Sequence, residues 1–390
     1  MQERSRDGLP TGTGRRLAEQ DGSPTDGSTT VPLDHYLTLG RSGLRVSPFA
    51  LGAMTFGEDP GAAGCSVEES EKILAAYLDR GGNLVDTANF YANGHSEAIL
   101  GDWFAANPGV RDRVVLATKF FTNMHPGNPN GGGAGRSSIT AQLHESLRRL
   151  RTDHVDLYWL HNWDRNTPIE ETMRALDDLV RAGTVRYVGF SNTPAWLTAQ
   201  AQTLAQLRGW TPLVALQVEY SLLARTVETE LVPFALDQGL AVVPWSPLKN
   251  GFLSGKYRRD AAVADSARTA FVGGPTEDQF RVIDALTAVA DGLGESPAAV
   301  ALAWLRSRPG TVVPIVGARR VGQLQENLAA ADLVLDADAL RRLDEASAPD
   351  LGYPAGLHGP LRAMLQFAGT TVDGETSEAY PPLLQSAVRY

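Results

Sequence analysis

From His35 onward, short apolar runs alternate with amphipathic stretches of helical period, and the alternation repeats eight times. The runs are FALGA (49–53), NLVDTA (83–88), VVLATKF (114–120), VDLYWLH (155–161), VRYVGFSN (185–192), LVALQVEY (213–220), LAVVPWSP (240–247) and TVVPIVGA (311–318). Each is too short for a buried helix and rich enough in β-branched and aromatic residues for a strand. Between them, Ile139, Leu143, Leu147 and Leu150 share one helical face, as do Ile169, Met173, Leu176 and Val180. Start signals recur: Thr167-Pro168-Ile169-Glu170, Ser66 with Glu69, Thr276 with Gln279, and Ser296-Pro297. Gly183, Gly209 and Gly239 stand where helices should stop. Eight strand–helix units in one continuous region predict an α/β fold, a closed parallel (β/α)8 barrel. LTLG and LRVS, joined by Arg41-Ser42-Gly43, predict a small hairpin ahead of it.

The competing open, doubly wound sheet would carry G-x-G-x-x-G after its first strand, and none follows FALGA. The Gly131–Gly135 cluster lacks the Gly-Lys-Ser/Thr of a phosphate loop and reads as a flexible loop. One irregularity is the interval from Pro247 to Thr311, which holds two helical patterns where a minimal barrel needs one.

Residues 1–33 are polar and rich in Gly, Ser, Thr and Asp, which predicts a disordered tail. Arg15-Arg16 is followed by no apolar block, so an export signal is not expected. The expected layout is therefore a tail (1–33), a barrel (34–347) and a C-terminal extension (348–390). A net charge of −10 argues against a nucleic-acid surface. No apolar run approaches the ~18 residues of a membrane span. The lone Cys65 fits a reducing compartment, and hence a cytoplasmic location.

In such a barrel the C-terminal strand ends open on one face. Polar residues gather there: Asp86 ends the second strand, Lys119 the third and His161 the fourth. Ser191-Asn192 end the fifth, Gln217 lies late in the sixth, and Trp245-Ser246 end the seventh. Tyr91 follows Asp86 in the next loop, so its hydroxyl can lean over the same mouth. A free tyrosine titrates near ~10, too high for an efficient acid at neutral pH. A neighbouring ammonium, Lys119, lowers that value, and Asp86 holds the ammonium in place. His161 can orient a carbonyl oxygen. Together they suit a substrate oxygen that gains negative charge, as hydride addition to a carbonyl produces. Taken singly, Asp86 and Lys119 also fit a structural ion pair, His161 a satisfied core histidine, and Tyr91 a surface aromatic. A metal site is disfavoured, since only His161 is suitably placed. A serine triad is disfavoured because Ser191 has no elbow glycines.

The motifs DTANFY, LATKF, DLYWLH, VGFSN, LQVEYS, PWSPLKNGFLSGKY and PIVGARRVGQLQENL stand in order and spacing that resemble an aldo-keto reductase, over roughly Tyr36 to Ala346. The resemblance implies a (β/α)8 barrel that binds NADPH without a Rossmann fold and reduces small-molecule aldehydes or ketones. It implies a catalytic tetrad of Asp86, Tyr91, Lys119 and His161, with Tyr91 as general acid. Ser191, Asn192 and Gln217 match positions that hold the nicotinamide carboxamide, and Trp245 one that packs on the ring, although a barrel-core indole is its plainer reading. Ser246, Leu248, Gly251, Leu253 and Lys256 match a pyrophosphate loop. Gly317, Ala318, Arg319, Gln323, Glu326 and Asn327 match the adenosine end, where Arg319, or Arg320 if the loop is shifted, would pair a 2′-phosphate. Phe56, Phe90 and Trp163 are expected to line an apolar substrate pocket. Two segments depart from the family pattern: the loop from Thr122 to Gly135, expected to overhang the mouth, and the tail from Pro349. Tyr353, Leu357, Leu361 and Phe367 of that tail are suited to cover the site, pack on the barrel side or bind a second subunit. A rival reading is an NADPH-binding, redox-sensing interaction subunit with little turnover.

Overall fold

All eight apolar runs are strands of one parallel sheet. A computed structural model of the chain describes residues 33–58, 64–259 and 274–385. After a two-stranded hairpin, β1 (Leu37–Thr38) and β2 (Arg45–Val46), come β3 (Ala50–Gly52), β4 (Leu84–Asp86), β5 (Val115–Phe120) and β6 (Val155–Leu160). Next are β7 (Val185–Ser191), β8 (Leu213–Glu219), β9 (Ala241–Trp245) and β10 (Ile315–Gly317). The strands pair in chain order from β3 to β9, and β10 returns to pair with β3. A parallel bridge between Val242 and Val312 brings the sheet round on itself, with Val242 N–H donating to Thr311 O at 2.8 Å and Val313 N–H to Val242 O at 2.9 Å.

Period-2 alternation divides the strand residues between two apolar shells. Leu84, Val115, Ala117, Leu157, Trp159, Ala215 and Val243 fill the barrel interior. Their alternates Val85, Leu116, Tyr158, Val188, Leu216 and Val242 pack outward, in one cluster with helical residues such as Ile139, Leu143, Met173 and Leu176. The hairpin contributes Leu39 and Val46 to the interior shell, and Arg41 N–H bonds Gly239 O just before β9. The N-terminal end of the barrel is therefore plugged with apolar groups, and polar residues are left the opposite mouth.

Interior packing is tight around one indole. Trp159 is fully buried, and a Cβ on Gly189 of the next strand would lie 2.3 Å from its ring. Gly189→Ala is expected to destabilise the fold by roughly 1–3 kcal/mol through overpacking. A lowered melting temperature checks this, and an unchanged one would mean that the indole has room to move.

Helix starts follow the local signals in part. Thr276 and Gln279 form a complete capping box on the helix Glu277–Leu293, and Ser296 caps Pro297–Arg306. These are the two helices expected before the last strand. Ser66 caps α1 (Val67–Asp79), but Glu69 does not return the bond. Its carboxylate instead accepts Val321 N–H at 3.0 Å, because a second helix N-terminus lies within reach. The Thr167 cap does not form: Pro168 precedes α4 (Ile169–Arg181), and the Thr167 hydroxyl donates to Asp164 at 2.7 Å. Gly209 and Gly239 end their helices in the left-handed conformation, and Gly183 has φ of 78° just past α4.

Most of the expected N-terminal tail lies outside the described residues. Leu33, placed in that tail from the sequence, is fully buried, and its N–H bonds Arg80 O at 2.6 Å. The loop before α3 (Arg136–Leu150) is pinned at several points. Gly133 N–H donates to Phe121 O, Ala134 N–H to Asp164, and Gln142 to Gly133 O. Past Pro349, a helix (Pro360–Phe367) and a small hairpin (Thr371–Val372, Glu375–Thr376) are joined by the Arg362–Glu375 ion pair at 2.8 Å.

Candidate active site

The parallel register places Asp86 beside Ala117, so Lys119, one pleat further along β5, stands on the same inward face. Its ammonium donates to the Asp86 carboxylate, to Thr87 O at 2.7 Å and to Tyr91 Oη at 3.1 Å. An ammonium has three N–H donors, and all three are used. Tyr91 Oη is therefore the acceptor of its bond, which leaves the phenolic O–H free to donate elsewhere. Asp86 and Lys119 are buried, at 4% and 0% exposure, and each is the other's counterion.

Tyr91 is presented by an unusual turn. Ala92, Asn93 and Gly94 follow it with φ of 46°, 54° and 88°, three left-handed residues in succession. Gly94 leads into α2 (His95–Ala106), where a Cβ would press on the Arg149 side chain. Arg149 is itself paired with the fully buried Glu97 at 2.7 Å. Asn192 and Ser246 also adopt positive φ, of 48° and 51°, at the ends of β7 and β9. Such conformations gather where a side chain must be aimed against local preference.

Burial raises the Tyr91 phenol above its ordinary value; the Lys119 charge opposes this and Asp86 reinforces it. The expected lowering by Lys119 is thus present but outweighed by desolvation. Burial alone would lower Lys119, yet Asp86 and then Tyr91 overcome it and hold the ammonium above its usual range. Phenol and ammonium are both protonated at neutral pH. Burial, aided by the Lys119 charge, depresses His161 to about 3, so its imidazole is neutral. His161 O accepts from Asn192 Nδ2 at 3.0 Å, and its ring lies edge-on to Tyr91 with centroids 6.0 Å apart. Among the described residues its buried Nδ1 has no hydrogen-bond partner, unlike that of a satisfied core histidine.

A cavity of about 490 Å³ runs from this cluster across the mouth to the loop after β10. Asp86, Phe90, Tyr91 and His161 line one end. Ser191, Asn192, Gln217, Trp245, Ser246 and Leu248 follow, then Gly251 and Lys256, and Gly317, Ala318, Arg319, Gln323, Glu326 and Asn327 complete the far wall. Trp245 Nε1 donates to Asn192 Oδ1 at 3.1 Å, and the half-buried indole both packs on the interior shell and lines the mouth. Ser191 Oγ is buried and has no hydrogen-bond partner among the described residues. Among the described residues, neither Lys256 nor Arg319 has an acidic partner, and both are exposed. Two cations and an unspent hydroxyl along an elongated cavity fit a ligand that bears phosphate or another anionic group.

Several expected positions fall elsewhere. Lys119 does not line the cavity itself and is bonded to Tyr91, which does. Phe56 and Leu253 are fully buried in the core and do not form walls, because both side chains turn toward the helices. Trp163 is not a wall either; it stands edge-on to Trp196 at 5.7 Å. Arg320 precedes the helix Val321–Leu328 and does not line the cavity, whereas Arg319 does. The loop from Thr122 to Gly135 and the tail residues Tyr353, Leu357, Leu361 and Phe367 also contribute no wall; Tyr353 is 88% exposed. Sequence reasoning missed Met54 and Thr55, which follow β3 at the same mouth and were open to the strand-end rule. It also missed Tyr257, which closes the motif PWSPLKNGFLSGKY, and Ala298, for which no local signal exists.

The model for the aldo/keto reductase family matches residues 48–348. The chain is 40% identical over 319 residues to the uncharacterized oxidoreductase YrpG of Bacillus subtilis (strain 168), covering 80% of this chain and 95% of that one. It is 36% identical over 340 residues to the NADP(+) aryl-alcohol dehydrogenase of Phanerodontia chrysosporium, covering 81% and 86%. With a norsolorinic acid reductase of Aspergillus flavus it shares 34% over 328 residues, 82% of each chain.

Proposed function

The chain belongs to the aldo/keto reductase family of oxidoreductases, and on that premise we propose that it is an NADPH-dependent reductase of aryl aldehydes or ketones with Tyr91 as general acid. The observation that carries this reading is the bonded series Asp86–Lys119–Tyr91, whose free phenolic O–H opens on a cavity that continues to Arg319. NADPH, when bound, supplies the hydride for the carbonyl carbon. Tyr91 gives its proton to the carbonyl oxygen, and the Lys119 ammonium beside it stabilises the phenolate left behind. Neutral His161 orients that oxygen without competing as an acid. Ser191, Asn192 and Gln217 would hold the carboxamide, Trp245 would flank the ring, and Lys256 and Arg319 would take the phosphates. Phe90 and Tyr91 pack edge-on at 5.1 Å and offer an aromatic wall, in keeping with the relative named for aryl alcohols.

The test is consumption of NADPH with a panel of aryl aldehydes and ketones. Turnover is expected on at least one of them; tight NADPH binding with none would turn the reading toward a binding subunit. Arg319→Ala should weaken NADPH by about 10- to 100-fold, the worth of one to two charge-assisted hydrogen bonds, while sparing NADH. An unchanged NADPH/NADH ratio would remove the 2′-phosphate from Arg319.

A further inference from the structure

We propose that Gln217 is a positioning residue for the proton donor, holding Asp86 from across the barrel so that Lys119 stays charged beside Tyr91. Gln217 sits on β8, and β4 lies four strands away in a ring of eight, so the two face each other through the interior. Its Nε2 donates to Asp86 Oδ2 at 3.0 Å, while Asp86 Oδ1 takes the Lys119 ammonium. Both carboxylate oxygens are thereby engaged from opposite sides. The result is one unbroken series, Gln217–Asp86–Lys119–Tyr91, in which Gln217 and Asp86 are almost wholly buried.

The orientation of the amide follows from its partner. An ionised carboxylate only accepts hydrogen bonds, so the NH2 group must face Asp86 and Oε1 must face away. Among the described residues Oε1 takes no hydrogen bond, and Gln217 lines the cavity. The side chain can therefore accept a hydrogen bond from a ligand while its other end steadies the carboxylate. Without that donor, Asp86 has one anchor in place of two and is free to swing off the ammonium. Lys119 is faced by Asp86 from β4, by Tyr91 from the turn after it and by His161 from the end of β6. Among these only the Asp86 carboxylate keeps a fully buried ammonium charged when Tyr91 is neutral.

The inference rests on Tyr91 being the donor, and the experiment separates the two. The chain has four lysines, Lys72, Lys119, Lys249 and Lys256, so lysine-selective isotope labelling of the full chain resolves the Lys119 amine by NMR. In the wild type Lys119 should remain an ammonium beyond about pH 10.4, the ordinary lysine value. In Gln217→Met its midpoint should fall by about one pH unit or more, and the alkaline limb of kcat should move down with it. On an Asp86→Asn background the same substitution should shift nothing further. Gln217→Asn, which keeps the polarity but not the reach, carries the same expectation if the methionine variant does not fold. A Lys119 midpoint unmoved by loss of Gln217 would overturn the proposal, even where kcat falls. A wild type that reduces no carbonyl would sink the functional reading while the lysine titration still decides the role of Gln217.

Discussion

Tyr91→Phe is expected to cut turnover by about 10²- to 10⁴-fold, the usual worth of a positioned acid. The substitution removes one oxygen and leaves the ring packed against Phe90 and His161. NADPH affinity should stay close to wild type, because the Tyr91 hydroxyl is bonded to Lys119 and not to any of the positions proposed to hold the cofactor. Lys119 loses one acceptor but keeps Asp86 and Thr87 O, so the fold should survive. Steady-state rates beside fluorescence titration of NADPH check both halves. Equal loss of binding and turnover would move the acid to another group. The pH profile adds a sign. Reduction needs the phenol protonated, and burial holds it above its ordinary value, so reduction should not fall on this account anywhere in the neutral range. His161, depressed to about 3, should contribute no limb between pH 5 and 8.

Lys119→Met carries the other large effect, and here stability falls with activity. The ammonium is the counterion of an aspartate that is 4% exposed, and among the described residues methionine leaves that carboxylate with only the Gln217 amide. Breaking a buried pair from one side costs about 3–5 kcal/mol, since the remaining charge stays desolvated. A lower denaturation midpoint measures it. Adding Asp86→Asn should restore much of the stability, because neither partner is then charged, yet turnover should stay near the Tyr91→Phe level. Stability and turnover recovering together would mean that the pair has no role in the chemistry. If neither the single nor the double variant loses stability, the pair is better solvated than its burial indicates.

Most of the architecture was legible because its determinants are local. Eight apolar runs of strand length, separated by helical periods, leave few arrangements in which every strand buries both faces, and a closed parallel barrel is one of them. Asp86, Lys119 and His161 could be assigned to one mouth for the same reason: in a parallel barrel every strand ends on the same face. Local signals failed where a distant partner competed. Glu69 was read as returning the bond of Ser66, but a second helix N-terminus takes its carboxylate. Thr167 was read as a cap, but Asp164 takes its hydroxyl. Phe56 was placed at the cavity for its nearness to a strand end and Leu253 by motif; their direction depends on which way the chain turns after a strand, and both turned into the core.

The sequence by itself determined the strand count, the helices between strands and the set of polar residues gathered at one end, because side-chain period and chain chirality act between near neighbours. Only the tertiary structure decided how those residues meet. Gln217 and Asp86 are 131 residues apart and bond across the barrel, a contact that depends on strand stagger and on the small residues that let the interior close. The direction of the Tyr91 shift was likewise out of reach, since desolvation and the Lys119 charge oppose each other and only the depth of burial says which prevails.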